Sequence, residues 1–128
     1  MTPKEKDLLL RDLCARLPYG VKIQVPYEDG SGYFDETVWE VNNDGPFHVN
    51  GWGIEYEYVK PYLFPLSSMT EEQRQELESL MEVTTVPAWG EILSPTPEYY
   101  DWLNKTYFDY RNLIDKNLAI DCTNLNIY

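Results

Sequence analysis

The sequence contains one histidine, His48, and two cysteines, Cys14 and Cys122. That scarcity removes several chemistries at once. A zinc site needs Cys and His clustered at short spacing. A Ser-His-acid or Cys-His system would have to use His48, which stands between Phe47 and Val49 on a short predicted strand and is expected to face water. No Gly-x-Ser-x-Gly elbow, phosphate-binding loop or dinucleotide fingerprint is present. Two thiols near opposite ends make no disulfide framework. They read as free cysteines of a reducing compartment, with a Cys14–Cys122 bridge as the alternative.

Long apolar runs are missing too. Leu8-Leu9-Leu10 stops at Arg11, short of the roughly 7–15 apolar residues of a secretion signal and the roughly 20 of a membrane span. The expectation is a cytoplasmic protein with no membrane partner. Bases are scarce: 10 Lys and Arg stand against 22 Asp and Glu, a net charge of −12. Residues 1–22 hold five bases and three acids, whereas residues 23–59 hold eight acids and no Lys or Arg. Such a segment repels phosphate, which argues against direct nucleic-acid binding. It attracts a protein partner with a basic surface, or serves solubility alone.

What is present suits one α+β domain over residues 1–128. Thr2-Pro3-Lys4-Glu5 is a capping box opening a helix. Leu10, Leu13, Cys14 and Leu17 follow at i, i+3, i+4, i+7 as a buried stripe. Asp7–Arg11 and Asp12–Arg16 are i,i+4 pairs in the favourable order. Pro18 and Gly20 end the helix. Val21-Lys22-Ile23-Gln24-Val25 alternates as a strand with Val21, Ile23 and Val25 inward. A second strand spans 33–41, Asn42-Asn43-Asp44-Gly45 is a hairpin turn, Phe47–Val49 is a third strand, and Ile54–Tyr58 is the most regular alternation. Short turns between these strands predict an antiparallel meander of about four strands, as a curved sheet or a small SH3-like barrel. It is packed by the N-terminal helix and two to three C-terminal helices. Lys60–Leu66 reads as a proline-bearing connector over the core. Thr70-Glu71-Glu72-Gln73 is a second capping box. Val83–Pro97, with three prolines, reads as a loop whose Trp89, Ile92 and Leu93 pack back. Thr96-Pro97 starts a third helix with Tyr99, Trp102 and Leu103 on one side. A short fourth helix, capped by Asp109, buries Tyr110, Leu113 and Ile114. Asn117 suits a left-handed terminus, and Asn124–Tyr128 is expected to be loose.

Three stretches carry a resemblance. Lys6–Val21 (KDLLLRDLCARLPYGV), Val59–Glu72 (VKPYLFPLSSMTEE) and the segment from Asp101-Trp102-Leu103-Asn104 through Phe108-Asp109-Tyr110-Arg111-Asn112-Leu113-Ile114 together resemble a family of small acidic hypothetical proteins from gut Bacteroidales and their phages or mobile elements. The last motif of that family often has His before Phe-Asp-Tyr-Arg and Gly after it; here Tyr107 and Asn112 stand there. The resemblance implies a bacterial or phage cytosolic setting and carries no activity, cofactor or catalytic residue. Residues 22–58 and 83–97 lie outside it and read as the individual part of the chain.

No cofactor is expected. Asp29, Ser31, Asp35 and Glu36 around two glycines miss the spacing of a calcium loop, and paired carboxylates among so many acids are unspecific. Trp39, Tyr56, Tyr58 and Trp102 are assigned to the core. Trp52, between two glycines, and Trp89, among prolines, are the candidates for a partner contact. Glu36, Glu40, Glu55 and Glu57 form an expected acidic outer face of the sheet. The leading reading is a non-enzymatic interaction or accessory protein of a mobile element. The alternatives are an acidic DNA mimic of the anti-restriction kind and a small carboxylate-based enzyme. The sequence therefore predicts that Trp52→Ala, or Glu55→Lys with Glu57→Lys, abolishes a partner interaction at unchanged stability. Leu13→Ala should instead cost roughly 2–5 kcal/mol. A thermal melt beside a binding assay separates the two, and collapse of Trp52→Ala would assign Trp52 to the core.

Overall fold

The computed structural model describes residues 1–42, 45–48 and 56–128, and of residues 39, 42, 45–48 and 56 the backbone only. The first helix, α1 (Pro3–Arg16), begins as its sequence dictates. Thr2 Oγ1 accepts the Glu5 N–H at 3.1 Å, and Glu5 Oε1 accepts the Thr2 N–H at 2.9 Å. A 3-10 turn, Leu17–Tyr19, follows. Gly20 then closes it at φ 72°, donating its N–H to the Leu17 carbonyl, in the left-handed region that glycine enters freely.

The buried stripe of α1 is not the expected one. Leu9, Asp12, Leu13 and Arg16 are fully buried, whereas Leu10 and Leu17 are half-buried and Cys14 is exposed. The spacing is the same, displaced by one residue. The displacement follows from hydrogen bonding. Asp12 Oδ2 accepts from Arg16 Nε at 3.0 Å and Oδ1 from Arg111 Nη1 at 2.9 Å. Arg16 donates Nη1 to the Leu103 carbonyl at 3.2 Å and Nη2 to the Phe108 carbonyl at 2.6 Å. A charge pair can be buried only when its other polar atoms are bonded, and here every side-chain nitrogen and oxygen of the pair has a partner. The guanidinium carbons of Arg111 and Arg16 lie 4.4 and 5.4 Å from the centre of the Tyr110 ring, which adds cation–π attraction.

Strands β1 (Lys22–Pro26), β2 (Tyr33–Asn42) and β3 (Gly45–His48) form the expected antiparallel meander, with Val21, Ile23 and Val25 buried and Asn42 opposite Gly45. The fourth strand differs. Tyr56–Tyr58 is a 3-10 turn and Tyr58 is exposed rather than core, while Ile54 and Glu55 lie outside the described residues. The segment expected to be a connector is instead strand β4 (Lys60–Pro65). It pairs antiparallel with β1, and parallel with two short strands, β7 (Phe108–Asp109) and β8 (Ile120–Asp121). The sheet is therefore mixed, in the order β3-β2-β1-β4-β7, with β8 also on β4. Pro61, Tyr62 and Leu63 are all buried in sequence. A strand covered on both faces shows no alternation, so β4 reads as an apolar run.

Helix α2 (Glu71–Glu78) is capped by Thr70 and Gln73, and α3 (Pro97–Lys105) by Thr96. The expected fourth helix is replaced by turns. The buried Asp109 carboxylate accepts the N–H groups of Leu113 and Ile114 at 2.9 and 2.8 Å, and Asn112 and Asn117 take φ near 60°, Asn117 as expected. The tail is not loose. The Tyr128 ring stacks on Tyr107 with centroids 3.6 Å apart. Its hydroxyl accepts from the Lys22 N–H at 2.8 Å and donates to the Tyr62 carbonyl at 3.0 Å, bridging β1 to β4 just past their last paired residues.

Two apolar clusters result. One joins Leu9, Leu13, Val21, Ile23, Val38, Leu63, Leu113 and Leu118; the other joins Leu77, Trp102, Leu103 and Phe108. Trp102 is core, as expected, and its ring lies parallel to Phe108. Arg16, on the helix that supplies Leu9 and Leu13 to the first cluster, is bonded to the backbone of two members of the second. Asp12→Ala and Arg16→Ala should each cost about 3–5 kcal/mol, because each leaves a buried charge or carbonyl without its partner. The double variant should fall short of the sum by about 1 kcal/mol or more. Denaturant unfolding measures all three, and strict additivity would show that the two residues do not act as a unit.

Candidate functional site

The remaining elements form an arm. Strand β5 (Met81–Val86) and strand β6 (Gly90–Pro95) pair only with each other among the described residues. The sequence reading as a loop is overturned here. The prolines do not interrupt the strands; they punctuate them. Pro87 follows the last residue of β5, Pro95 ends β6, and Pro97 opens α3. Between the strands, Trp89 donates its N–H to the Val86 carbonyl at 3.0 Å. Gly90 then sits at φ 80° in the left-handed region, with nothing near its missing Cβ. Val83-Thr84-Thr85-Val86 is the β-branched run that favours strand. At the root, Thr96 Oγ1 donates to the Leu80 carbonyl at 2.6 Å, tying the residue after β6 to the residue before β5.

The register sets what each face presents. Val83 stands opposite Leu93, and Met81 opposite Pro95; opposite residues share a face. Val83 is 56% and Leu93 64% exposed, and Trp89 at the tip is 78% exposed. Leu93 and Trp89 therefore do not pack back on the core as expected, and Ile92, on the other face, is half-buried. A scattered exposed leucine is ordinary, but an opposed apolar pair beside an exposed tryptophan on one projecting hairpin is a recognition surface in composition. Glu82 and Glu91 lie on the hairpin itself, and Glu76, Glu78, Glu98 and Asp101 on the helices that flank it in sequence; all six are exposed, and residues 75–104 contain no Lys or Arg.

The other expected site residues do not gather around Trp89. Trp52 and Glu55 lie outside the described residues. Glu36 stands opposite Ile23 on the core-facing side of the sheet and is half-buried, not outward. Glu40 is exposed on β2 beyond a register shift at Val38. Glu57 is exposed in a 3-10 turn, not on a strand. Glu36, Glu40 and Glu57 thus do not line one strand face, the regular array that phosphate mimicry was expected to use. The outer side of β1, β2 and β4 presents Lys22, Gln24, Asp35 and Lys60 instead, through the register Gln24–Asp35 and Gln24–Lys60.

One polar constellation lies on that outer side. The Tyr62 hydroxyl donates to Asp35 and accepts from Gln24 Nε2 at 3.2 Å. Burial, and then the bond to the Asp35 carboxylate, push its pKa up to about 12. Cys122, fully buried and free, is pushed up to about 11 by burial. Tyr128 is raised in the same way. These groups are held neutral, the opposite of an activated nucleophile. Among the described residues no three His, Cys, Asp or Glu side chains converge as a metal ion would require, and no helix is long and apolar enough to cross a membrane. No protein family, curated protein or solved structure matches the chain.

The raised pKa values predict alkaline lability. Each neutral form is favoured by folding, so the stabilisation is complete below the ordinary thiol value of 9.0 and is lost as pH rises through about 11. Tyr62 adds a loss between 10.0 and about 12. Iodoacetamide near neutral pH should label Cys14 in the folded protein and Cys122 only after unfolding. Equal labelling of both thiols, or a melting temperature flat from pH 9 to 11, would contradict the buried neutral cluster.

Proposed function

We propose that the protein is a non-enzymatic interaction module that engages a partner protein through the 81–95 hairpin. In keeping with the resemblance to small Bacteroidales and phage proteins, it acts as an accessory or modulator of a mobile element in the cytoplasm. The observation that carries the reading is the exposed Val83–Leu93 pair with Trp89 at the tip of the same hairpin. A two-stranded ribbon gains little stability by itself, and apolar side chains held in water on such a ribbon contribute nothing to the core. A partner surface accounts for them. Glu82 and Glu91 on the hairpin, which holds no Lys or Arg, select a partner with a basic surface.

The test compares capture from a Bacteroides lysate by the parent protein, by Trp89→Ala, and by Val83→Thr with Leu93→Thr. Both variants should lose a specific co-purifying protein while stability changes by less than about 0.5 kcal/mol, as for other exposed positions. Capture that is indifferent to both variants, or turnover in a broad hydrolase screen that survives them, would sink the reading.

A further inference from the structure

We infer that the free edge of β5 accepts an extended, Lys- or Arg-bearing segment of the partner as a third strand. The inference rests on the interaction reading above and specifies its mode and its chemistry.

Four observations support it. First, β5 has β6 as its one strand neighbour among the described residues, so a row of its backbone N–H and C=O groups faces away from the pair. Second, Glu82, Val83, Thr84 and Thr85 are all exposed, whereas β6 carries Gly90 and Pro95 and half-buried Ile92 and Ser94, which makes β5 the more open side. Third, the edge lacks the usual guards. Met81-Glu82-Val83-Thr84-Thr85-Val86 contains no Pro, no Gly and no Lys, the residues with which exposed edges are commonly blunted, and four of its six residues are β-branched. Fourth, the register defines what an added strand would meet. On one face its side chains would extend the row Met81, Val83 and Thr85, so alternate residues should be apolar. On the other they would lie beside Glu82, Thr84 and Val86, where a Lys or Arg next to Glu82 gains a cross-strand charge pair. Strand addition uses main-chain hydrogen bonds for affinity and alternate side chains for specificity.

The charge decides between occupants. A second copy would bring a net −12 chain, with the same exposed Glu82 on the same edge, against its like. A basic segment meets Glu82 on the edge and no competing Lys or Arg on the hairpin.

The probe is a short blocked peptide alternating Val and Lys, beside its Val–Glu counterpart and a Val–Lys version N-methylated at every second amide. The Val–Lys peptide should bind about tenfold tighter than the Val–Glu peptide, since a Lys beside Glu82 attracts where a Glu repels. It should slow amide exchange within Met81–Val86, and the N-methylated version should not bind. Glu82→Lys should weaken binding of the Val–Lys peptide and strengthen that of the Val–Glu peptide. Equal binding of the two peptides, exchange protection confined to other segments, or undiminished binding of the N-methylated peptide would overturn strand addition. Sedimentation showing a dimer that protects the same β5 amides would overturn it too, by giving the edge to a second copy. If lysate capture still depends on Trp89, Val83 and Leu93 while these peptide results fail, the strand-addition mode falls and the interaction reading stands.

Discussion

Arg16 joins the parts of this protein that its apolar residues leave separate. Its guanidinium reaches Asp12 on its own helix, the Leu103 carbonyl near the C-terminal end of α3, and the Phe108 carbonyl at the start of β7. The last carbonyls of a helix have no partner within it. A positive group there satisfies the oxygen and complements the helix dipole at once. The cost of burying Arg16 is met by directed bonds rather than by area, and the bonds fix where α3 and β7 lie against α1. The two apolar clusters, each without much geometric preference of its own, take up their relative placement from that one side chain. Asp12 depends in turn on Arg111, which reaches it from the far end of the sequence. The network therefore forms only when both ends of the chain have come together.

The same network explains where the sequence was legible and where it was not. Local signals survived folding. Both capping boxes, the Thr96 cap, the β1 alternation, the antiparallel β2–β3 pair and the left-handed Asn117 are visible within a few residues and occur as read. What failed depends on distant partners. Asp12 and Arg16 read only as an i,i+4 pair because nothing nearby announces Leu103, Phe108 or Arg111. The apolar stripe was accordingly placed one residue too far along. Strand β4 reads as a connector because a strand buried on both faces carries no period. The tail reads as loose because the contacts of Tyr128 with Lys22 and Tyr62 lie far from it in the chain.

The arm shows a different failure. Three prolines over residues 83–97 argued for an irregular loop, yet each sits at a boundary and none within a strand's paired interior except at its last residue. Proline density is a poor guide when the prolines are spaced by the length of a strand. Of the candidate site, Trp89 was legible because a tryptophan among prolines has no obvious cover. Val83 and Leu93 were not, because they become a pair only through the register of β5 on β6. Glu36 was misplaced by a single step of alternation: it stands opposite Ile23, so it shares the side that Ile23 buries.

Charge and apolar surface are thus distributed in the reverse of the usual way at two places. Asp12 and Arg16 are fully buried, while Val83, Leu93 and Trp89 stand in water. The inversions differ in kind. The buried charges are fully partnered; among the described residues no buried side-chain nitrogen or oxygen lacks a hydrogen bond. Their position is explained by the fold itself. The exposed apolar residues have no such account, since moving them to threonine would remove nothing from either core cluster. A hairpin tied at its root by Thr96 and Leu80 keeps those side chains available without involving either core cluster. Arg16 then fixes the frame while the arm keeps its apolar side chains in water, and substitutions at the arm should leave the stability of the frame unchanged.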